Sequence, residues 1–268
     1  MFDYNKRTYI MGILNVTPDS FSDGGKFNSI DQALKHALEM VEEGADIIDL
    51  GGESTRPGHI YVDVDYVDVD EELKRVIPVV KKLKEELDTP ISVDTYKAKV
   101  ADESLKLGAE MINDIWGLRK DKDMANVIAK HNAYVCIMHN QDGTEYDKDI
   151  MESIKEFLLE SINIAIKAGV DKDKIVLDPG IGFGKTYEQN LEVLKRLGEL
   201  KTLGYPILLG TSRKSVIGNT LDLPPQERVE GTIATTVLGI RDGVDIVRVH
   251  DVEKNLRAAK MADAIYRG

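Results

Sequence analysis

Cysteine is almost absent from this chain. Cys136 is the single one in 268 residues. That excludes an intrachain disulfide and a cysteine-built metal cluster, and it fits a reducing cytoplasm. Positive charge is also scarce: 35 Lys and Arg face 47 Asp and Glu, a net charge of −12 at pH 7. No broad positive field is available, so nucleic acid and acidic membrane surfaces are excluded as general partners, while a local basic pocket is not. No run of about 18 apolar residues exists to span a bilayer. The opening MFDYNKRTYI has no apolar stretch of the signal-peptide kind, so none is expected. Pro/Gly/Ser-rich linkers and low-complexity tracts are missing too, and residues 1–268 are expected to form one domain.

What is present is alternation. Short apolar runs recur at Thr8–Leu14, Asp46–Leu50, Pro90–Val93, Met111–Ile112, Tyr134–Met138, Ile175–Leu177, Pro206–Leu209 and Asp245–Val249. They are nearly continuously apolar, as strands buried on both faces are. Helical stripes lie between them. Ile30, Ala33, Leu34, Ala37, Leu38 and Val41 share one face, with Ser29 and Gln32 reading as a capping box. Leu73, Val76, Ile77, Val80 and Leu83 make another, with Pro78 an irregularity. Further helices are predicted around 97–107, 122–131, 150–168, 188–203, 225–241 and 253–266. A short repeat, GADIIDL (44–50), GAEMIND (108–114) and GVDIVRV (243–249), begins three of the strands, its Gly suited to capping the preceding helix. This pattern predicts an α/β fold, a single (β/α)8 TIM barrel, with a doubly wound open sheet as the alternative.

The stretch IVLDPGIGFGKT (175–186) imitates a phosphate-binding loop. A Walker loop would place its first glycine at position 179, which is Pro179 and has no N–H. Asp178 at the strand end would repel phosphate. The acid therefore needs another partner.

Polar residues close every predicted strand: Asn15, Asp49, Asp94, Asn113 with Asp114, His139 with Asn140, Asp178, then Arg213 and Lys214, and finally Arg248 and His250. In a barrel these ends converge on one mouth, where barrel enzymes keep their chemistry. Ordinary helix capping explains some of them, Asp114 above all. Asp94, Asn113 and Asp178 suit a ligand rich in N–H donors, or a metal. Arg213, Lys214, Arg248 and His250 suit a phosphate or diphosphate.

At this point whole segments match. MGILNVTPDSFSDGG (11–25) and DLGGESTRPG (49–58) resemble the two signature segments of the dihydropteroate synthase family, and ISVDT, INDIWG, DPGIGFGKT, GTSRKS and DIVRVHD follow in the family's order. The resemblance runs from about Ile10 to Gly268. It implies a TIM barrel, a homodimer and a magnesium requirement. The implied reaction joins 6-hydroxymethyl-7,8-dihydropterin pyrophosphate to 4-aminobenzoate, giving 7,8-dihydropteroate and pyrophosphate for folate; sulfonamides compete with the aminobenzoate. By the same resemblance Asp94, Asn113, Met138, Asp178 and Lys214 hold the pterin. Asn15, Arg248 and His250 hold the diphosphate, with Asn15 on magnesium. Thr55, Arg56, Phe183 and Ser215, with Thr17, Pro18, Asp19, Ser54 and Pro57, resemble the part that closes over the aminobenzoate. Asp94, Lys214, Arg248 and His250 are the implied catalytic set.

The nearest rivals are a pterin-dependent methyltransferase, which displaces no diphosphate and so has no use for the SRK and RVH basic groups, and a non-catalytic pterin-binding barrel. Cys136 reads as a buried small hydrophobe. His36 and His131 read as surface residues, and Trp116 as core or pocket wall. KKLKEEL (81–87) reads as a solvated helix face. The acidic HIYVDVDYVDVDEE (59–72) fails EF-hand spacing and reads as a surface extension.

Overall fold

The computed structural model describes residues 2–4, 6–16, 26–53 and 67–268. Eight parallel strands appear there: β1 (Tyr9–Asn15), β2 (Ile47–Gly51), β3 (Ile91–Asp94), β4 (Met111–Asp114), β5 (Tyr134–Met138), β6 (Ile175–Asp178), β7 (Leu208–Leu209) and β8 (Ile246–Val249). The ladder runs β6-β5-β4-β3-β2-β1-β8-β7. A parallel bridge between Leu177 and Ile207 joins its two ends, so the sheet closes as a barrel rather than an open sheet. Around it lie α1 (Lys26–Glu42), α2 (Val69–Glu86), α3 (Ala98–Lys106), α4 (Met124–His131), α5 (Ile150–Ala168), α6 (Tyr187–Lys195), α7 (Ser215–Leu221), α8 (Val229–Arg241) and α9 (Val252–Tyr266).

The repeat has a structural reason. Gly44, Gly108 and Gly243 all stand at φ near +100° (99°, 100° and 95°). Each ends a helix, and the next residue's N–H returns to a carbonyl five positions back: Ala45 to Met40, Ala109 to Ser104, Val244 to Gly239. This left-handed cap turns the chain into the strand. The acid that follows then accepts the backbone N–H of the preceding strand's base: Asp46 from Ile10, Glu110 from Ile91 and Asp245 from Ile207. Each also meets a cation, Arg7, Lys84 and Lys201 respectively.

Side chains alternate across each strand. One set, Tyr9, Met11, Ile47, Met111, Cys136, Val176, Leu208 and Ile246, forms a single buried cluster filling the barrel's lower half. Phe2 and Tyr4 pack beneath it, with Phe2 edge-on to Tyr9 and Tyr134. The other set packs outward against the helices. Two residues past Ile47, Met111, Cys136, Val176 and Ile246 stand Asp49, Asn113, Met138, Asp178 and Arg248. The same parity that buries an apolar layer thus aims the next layer at the mouth.

Several sequence expectations need correction. α1 starts at Lys26, so Ser29 lies inside its first turn and is not the cap. The predicted helix over 188–203 ends at Lys195 and continues as a 3-10 turn, Leu197–Leu203, which contains the helix-weakening Gly198. α7 has seven residues, too short to show a periodic stripe. Val69–Glu72 belong to α2 rather than to a surface extension; Asp68 caps that helix and Glu72 is buried. The expectation for 59–66 lies outside the described residues. Pro78 sits exposed within α2, which runs through it. His131 is half-buried and paired with Asp102 at 2.8 Å.

Candidate active site

Arg248 crosses the barrel from β8. Its Nε donates to Asp49 Oδ2 at 2.6 Å and its Nη2 to Asp94 Oδ2 at 2.8 Å. Asn113 Nδ2 donates to the same Asp49 oxygen at 3.1 Å. Four strands therefore meet in one network. Asp49, Asp94 and Asn113 are buried, yet the Oδ1 of each has no hydrogen-bond partner. A buried acceptor left without a donor costs about 1–3 kcal/mol. Three in one place suit a ligand that brings N–H groups. Burial pushes the Asp94 carboxyl well above the usual carboxylate range, with Arg248 opposing and Asp49 adding to the rise. Burial works against the Arg248 guanidinium, but Asp49 and Asp94 hold it above its ordinary value.

The loop after β6 is pinned along its length. Asp178 Oδ1 accepts the Gly180 N–H at 2.7 Å. Gly180, Gly182 and Gly184 all have positive φ. A Cβ on Gly180 would lie 1.9 Å from the His139 carbonyl oxygen, so only glycine lets the loop press against the end of β5. Gly182 N–H donates to Asn190 Oδ1, and Tyr146 Oη donates to the Gly184 carbonyl. Lys214 donates to the Ile181 carbonyl and lies over the Phe183 ring, 4.8 Å from its centroid. The look-alike Lys and Thr do other work. Lys185 is buried, and Thr186 caps α6 in a capping box with Gln189.

Lys214 leads out of β7 beside Arg213. Arg213 holds φ at +59°, an unusual value for a side-chain-bearing residue. It pairs with Asp251 at 3.0 Å, and Arg228 donates to its carbonyl at 2.9 Å. Ser212 Oγ lies 2.9 Å from His250 Nδ1. Burial pulls Lys214 down to about 8, with Asp178 opposing. Burial raises Asp178 in turn, and Lys214 is the main force against it. Asn15 ends β1, and Gly51 lies between it and Asp94: a Cβ there would sit 3.5 Å from Asn15 Oδ1 and 3.7 Å from Asp94 Cβ.

Above the polar layer lies an apolar wall of Ile115, Trp116, Met138 and Phe183, with Tyr96 against it. Trp116 thus belongs to the wall. Asp114 does cap, but it caps the turn after β4 rather than a helix, accepting from Trp116 and Leu118 N–H groups. On the other rim Lys97 donates to both Glu53 and Glu72 at 2.5 Å.

The structure thus brings Asp94, Asn113, Asp178, Lys214 and Arg248 together, with Met138 and Phe183 as wall, and puts Asn15 and His250 at the ends of β1 and β8. Ser215 opens α7. Thr55 and Arg56, like Thr17, Pro18, Asp19, Ser54 and Pro57, lie outside the described residues. An acidic half and a cationic half do not separate: Arg248 joins the acids, and Arg213 is spent on Asp251. Asp49 was legible only as a strand end, and Lys185 only as part of a loop.

Among the described residues no three His, Cys, Asp or Glu side chains converge on a metal position. Asn15 offers one amide oxygen. That suits a magnesium ion carried in on phosphate oxygens with its waters, and does not suit a resident ion.

Residues 11–250 match the family model described as pterin binding enzyme. A dihydropteroate synthase of Clostridium beijerinckii is 62% identical over 99% of this chain and 97% of its own length. A crystal structure of a Clostridium difficile dihydropteroate synthase in the presence of pteroic acid is 74% identical, with a TM-score of 0.97 over 100% of both chains. A Xanthomonas albilineans dihydropteroate synthase with 4-aminobenzoic acid is 41% identical, with a TM-score of 0.91 over 97% of this chain and 94% of that one.

Proposed function

The chain belongs to the pterin-binding enzymes and, within them, to the dihydropteroate synthases, and from that premise we propose how its mouth condenses 6-hydroxymethyl-7,8-dihydropterin pyrophosphate with 4-aminobenzoate. The observation that carries the reading is the trio of buried acceptors without donors, Asp49 Oδ1, Asp94 Oδ1 and Asn113 Oδ1. An amino-pyrimidinone ring supplies the N–H groups they lack. Asp178 receives the guanidine-like edge with the oxygen not used by Gly180, and Lys214 exchanges the Ile181 carbonyl for the pterin. Met138 and Trp116 flank the ring. Phe183 packs against the aminobenzoate, with Ser215, Thr55 and Arg56 completing that subsite.

The reaction is a substitution at the pterin's exocyclic CH2. The C–O bond breaks, and diphosphate leaves with the electron pair. The arylamine nitrogen forms the new C–N bond and releases a proton. Arg248, His250 and Asn15 face the departing charge, and the fixed Arg248 guanidinium stabilises it as it develops. Asp94, beside the reacting carbon, favours the cationic character that carbon acquires. Magnesium on Asn15 supplies charge neutralisation of the diphosphate when bound. No covalent enzyme intermediate is required.

The functional unit is a homodimer built on α8 and α9, the segment Gly231–Gly239 included. These helices pack on one another and leave Leu238, Met261 and Ile265 48%, 63% and 61% exposed, the kind of apolar surface that marks an interface. A monomer in sedimentation at micromolar concentration would count against it. The cytoplasm is the compartment, in keeping with the unpaired thiol of Cys136.

The test incubates the purified protein with both substrates and magnesium and looks for dihydropteroate by mass. Product that vanishes on chelation and with Lys214→Ala supports the reading. Bound pterin without product points to a non-catalytic barrel.

A further inference from the structure

The IVLDPGIGFGKT stretch has two charged side chains, Asp178 and Lys185, and the reaction above uses only the first. Lys185 is 8% exposed. Its Nζ lies 2.9 Å from three acceptors: the Gly180 carbonyl, the Phe183 carbonyl and His139 Nδ1. An ammonium has three N–H bonds and no lone pair, so the charged form satisfies all three acceptors and is saturated. His139 must then be neutral, its proton on Nε2. Burial, followed by the Lys185 charge, holds His139 well below its ordinary pKa. Burial also pulls Lys185 down to about 7, with the Asp178 carboxylate opposing.

The acceptors' places matter more than their number. Gly180 is two residues past Asp178. Phe183 is the wall residue facing the second subsite. Phe183 N–H also returns to the Gly180 carbonyl at 3.1 Å, closing the turn that Lys185 fills from behind. His139 follows Met138, and its own carbonyl is what Gly180 presses against. One buried ammonium therefore ties together Gly180, whose N–H is held by the residue that reads the pterin edge, the backbone of the ring that faces the aminobenzoate, and the residue after β5.

We propose that Lys185 is a positioning residue for the synthase reaction: its ammonium locks the turn from Asp178 to Phe183 against β5, so that the pterin and aminobenzoate subsites are held in register by a single side chain. The proposal rests on the synthase reading of the mouth. Lys185 touches neither substrate, and its donors are all consumed by the protein, so it has none to offer a phosphate. The strand β6 keeps its ladder without it. What is lost is the distance between the two recognition residues. Asp178 and Phe183 bind ground state and transition state alike, so loosening them raises KM with little change in kcat. A merely structural lysine does the opposite. Its loss lowers the folded fraction, hence apparent kcat, and leaves both KM values alone.

Steady-state kinetics on the purified full chain test this. Lys185→Met, of similar length and uncharged, is expected to raise both KM values together by about ten- to a hundred-fold, the scale of hydrogen bonds to a charged group. Unchanged KM values with a fallen kcat overturn the proposal, and so does a rise for one substrate only. Should Lys185→Met fail to fold, a second pair decides. His139→Gln keeps an acceptor for the ammonium and is expected to retain both KM values, whereas His139→Leu removes it and raises both. Equal KM values in that pair overturn the proposal. A wild type that makes no dihydropteroate overturns the synthase reading itself, before any variant is compared.

Discussion

The two ends of the barrel use the same residue types for opposite ends. At the base, Asp46, Glu110 and Asp245 are fully engaged, each joining a strand N–H to a cation. At the mouth, three positions further along each copy of the repeat, stand Asp49, Asn113 and Arg248. Asp49 and Asn113 each keep a buried oxygen without a partner. A spacing of three reverses the facing in a strand, so the first member staples neighbouring strands and the second enters the barrel. Among these acids and amides, the satisfied ones hold the base together and the unsatisfied oxygens lie at the mouth. An acid's role here is read from its lone pairs, not from its burial.

Substitutions at the two ends should therefore separate activity from stability. The largest effect is expected from Asp178→Ala. Losing the partner of a buried, charged hydrogen-bonding edge costs about 2–5 kcal/mol, so kcat/KM should fall by about 30- to 4,000-fold, beside a loss of Tm because the Gly180 N–H also loses its acceptor. An unchanged kcat/KM beside that loss of Tm would erase the distinction between the ends. Next comes Asp46→Ala at the base. It leaves the Ile10 N–H without its acceptor, a penalty of about 1–3 kcal/mol, and should lower Tm by about 3–10 °C while KM for both substrates holds. Calorimetry beside kinetics reads both quantities.

The pH response should also have opposite signs in binding and stability. The folded pKa of Lys214 is about 8, below its unfolded value of about 10.4. Between the two the unfolded chain holds the extra proton, so this lysine's contribution to stability rises with pH. Pterin affinity should fall over the same window as the ammonium is lost. Isothermal titration from pH 7 to 9.5, compared with Lys214→Met, measures it; matching profiles would assign the titration elsewhere. The smallest effect is expected from Thr186→Ala. It removes the capping box of α6, costing about 1 kcal/mol, and should leave both KM values untouched. A change in KM there would restore the phosphate-loop reading.

Much of the fold was legible because its signals are local. Strand runs, helical stripes and the capping glycines depend on neighbours within a few residues. The polar strand ends were legible too, since period-two parity puts Asp49, Asn113, Asp178 and Arg248 beyond apolar barrel-filling residues. Which of them meet was not. Arg248 reaches Asp94 across 154 residues and Asp49 across 199, and only closure of the barrel decides that. Lys185 was hidden for a related reason: its three acceptors are a ring nitrogen and two carbonyls, and backbone acceptors leave no mark on composition. The break in 188–203 and the short α7 fell below the length at which periodicity speaks.

The aromatic plug at the base has a kinetic consequence. Phe2, Tyr4, Tyr9 and Tyr134 fill the lower end, which makes the barrel a dead-end corridor with one door. A molecule seated against Asp49 and Asn113 lies deeper than one resting on Phe183, so traffic must queue. Ordered binding is the expected outcome, pterin before arylamine, and 4-aminobenzoate bound to the free protein in isothermal titration would count against it.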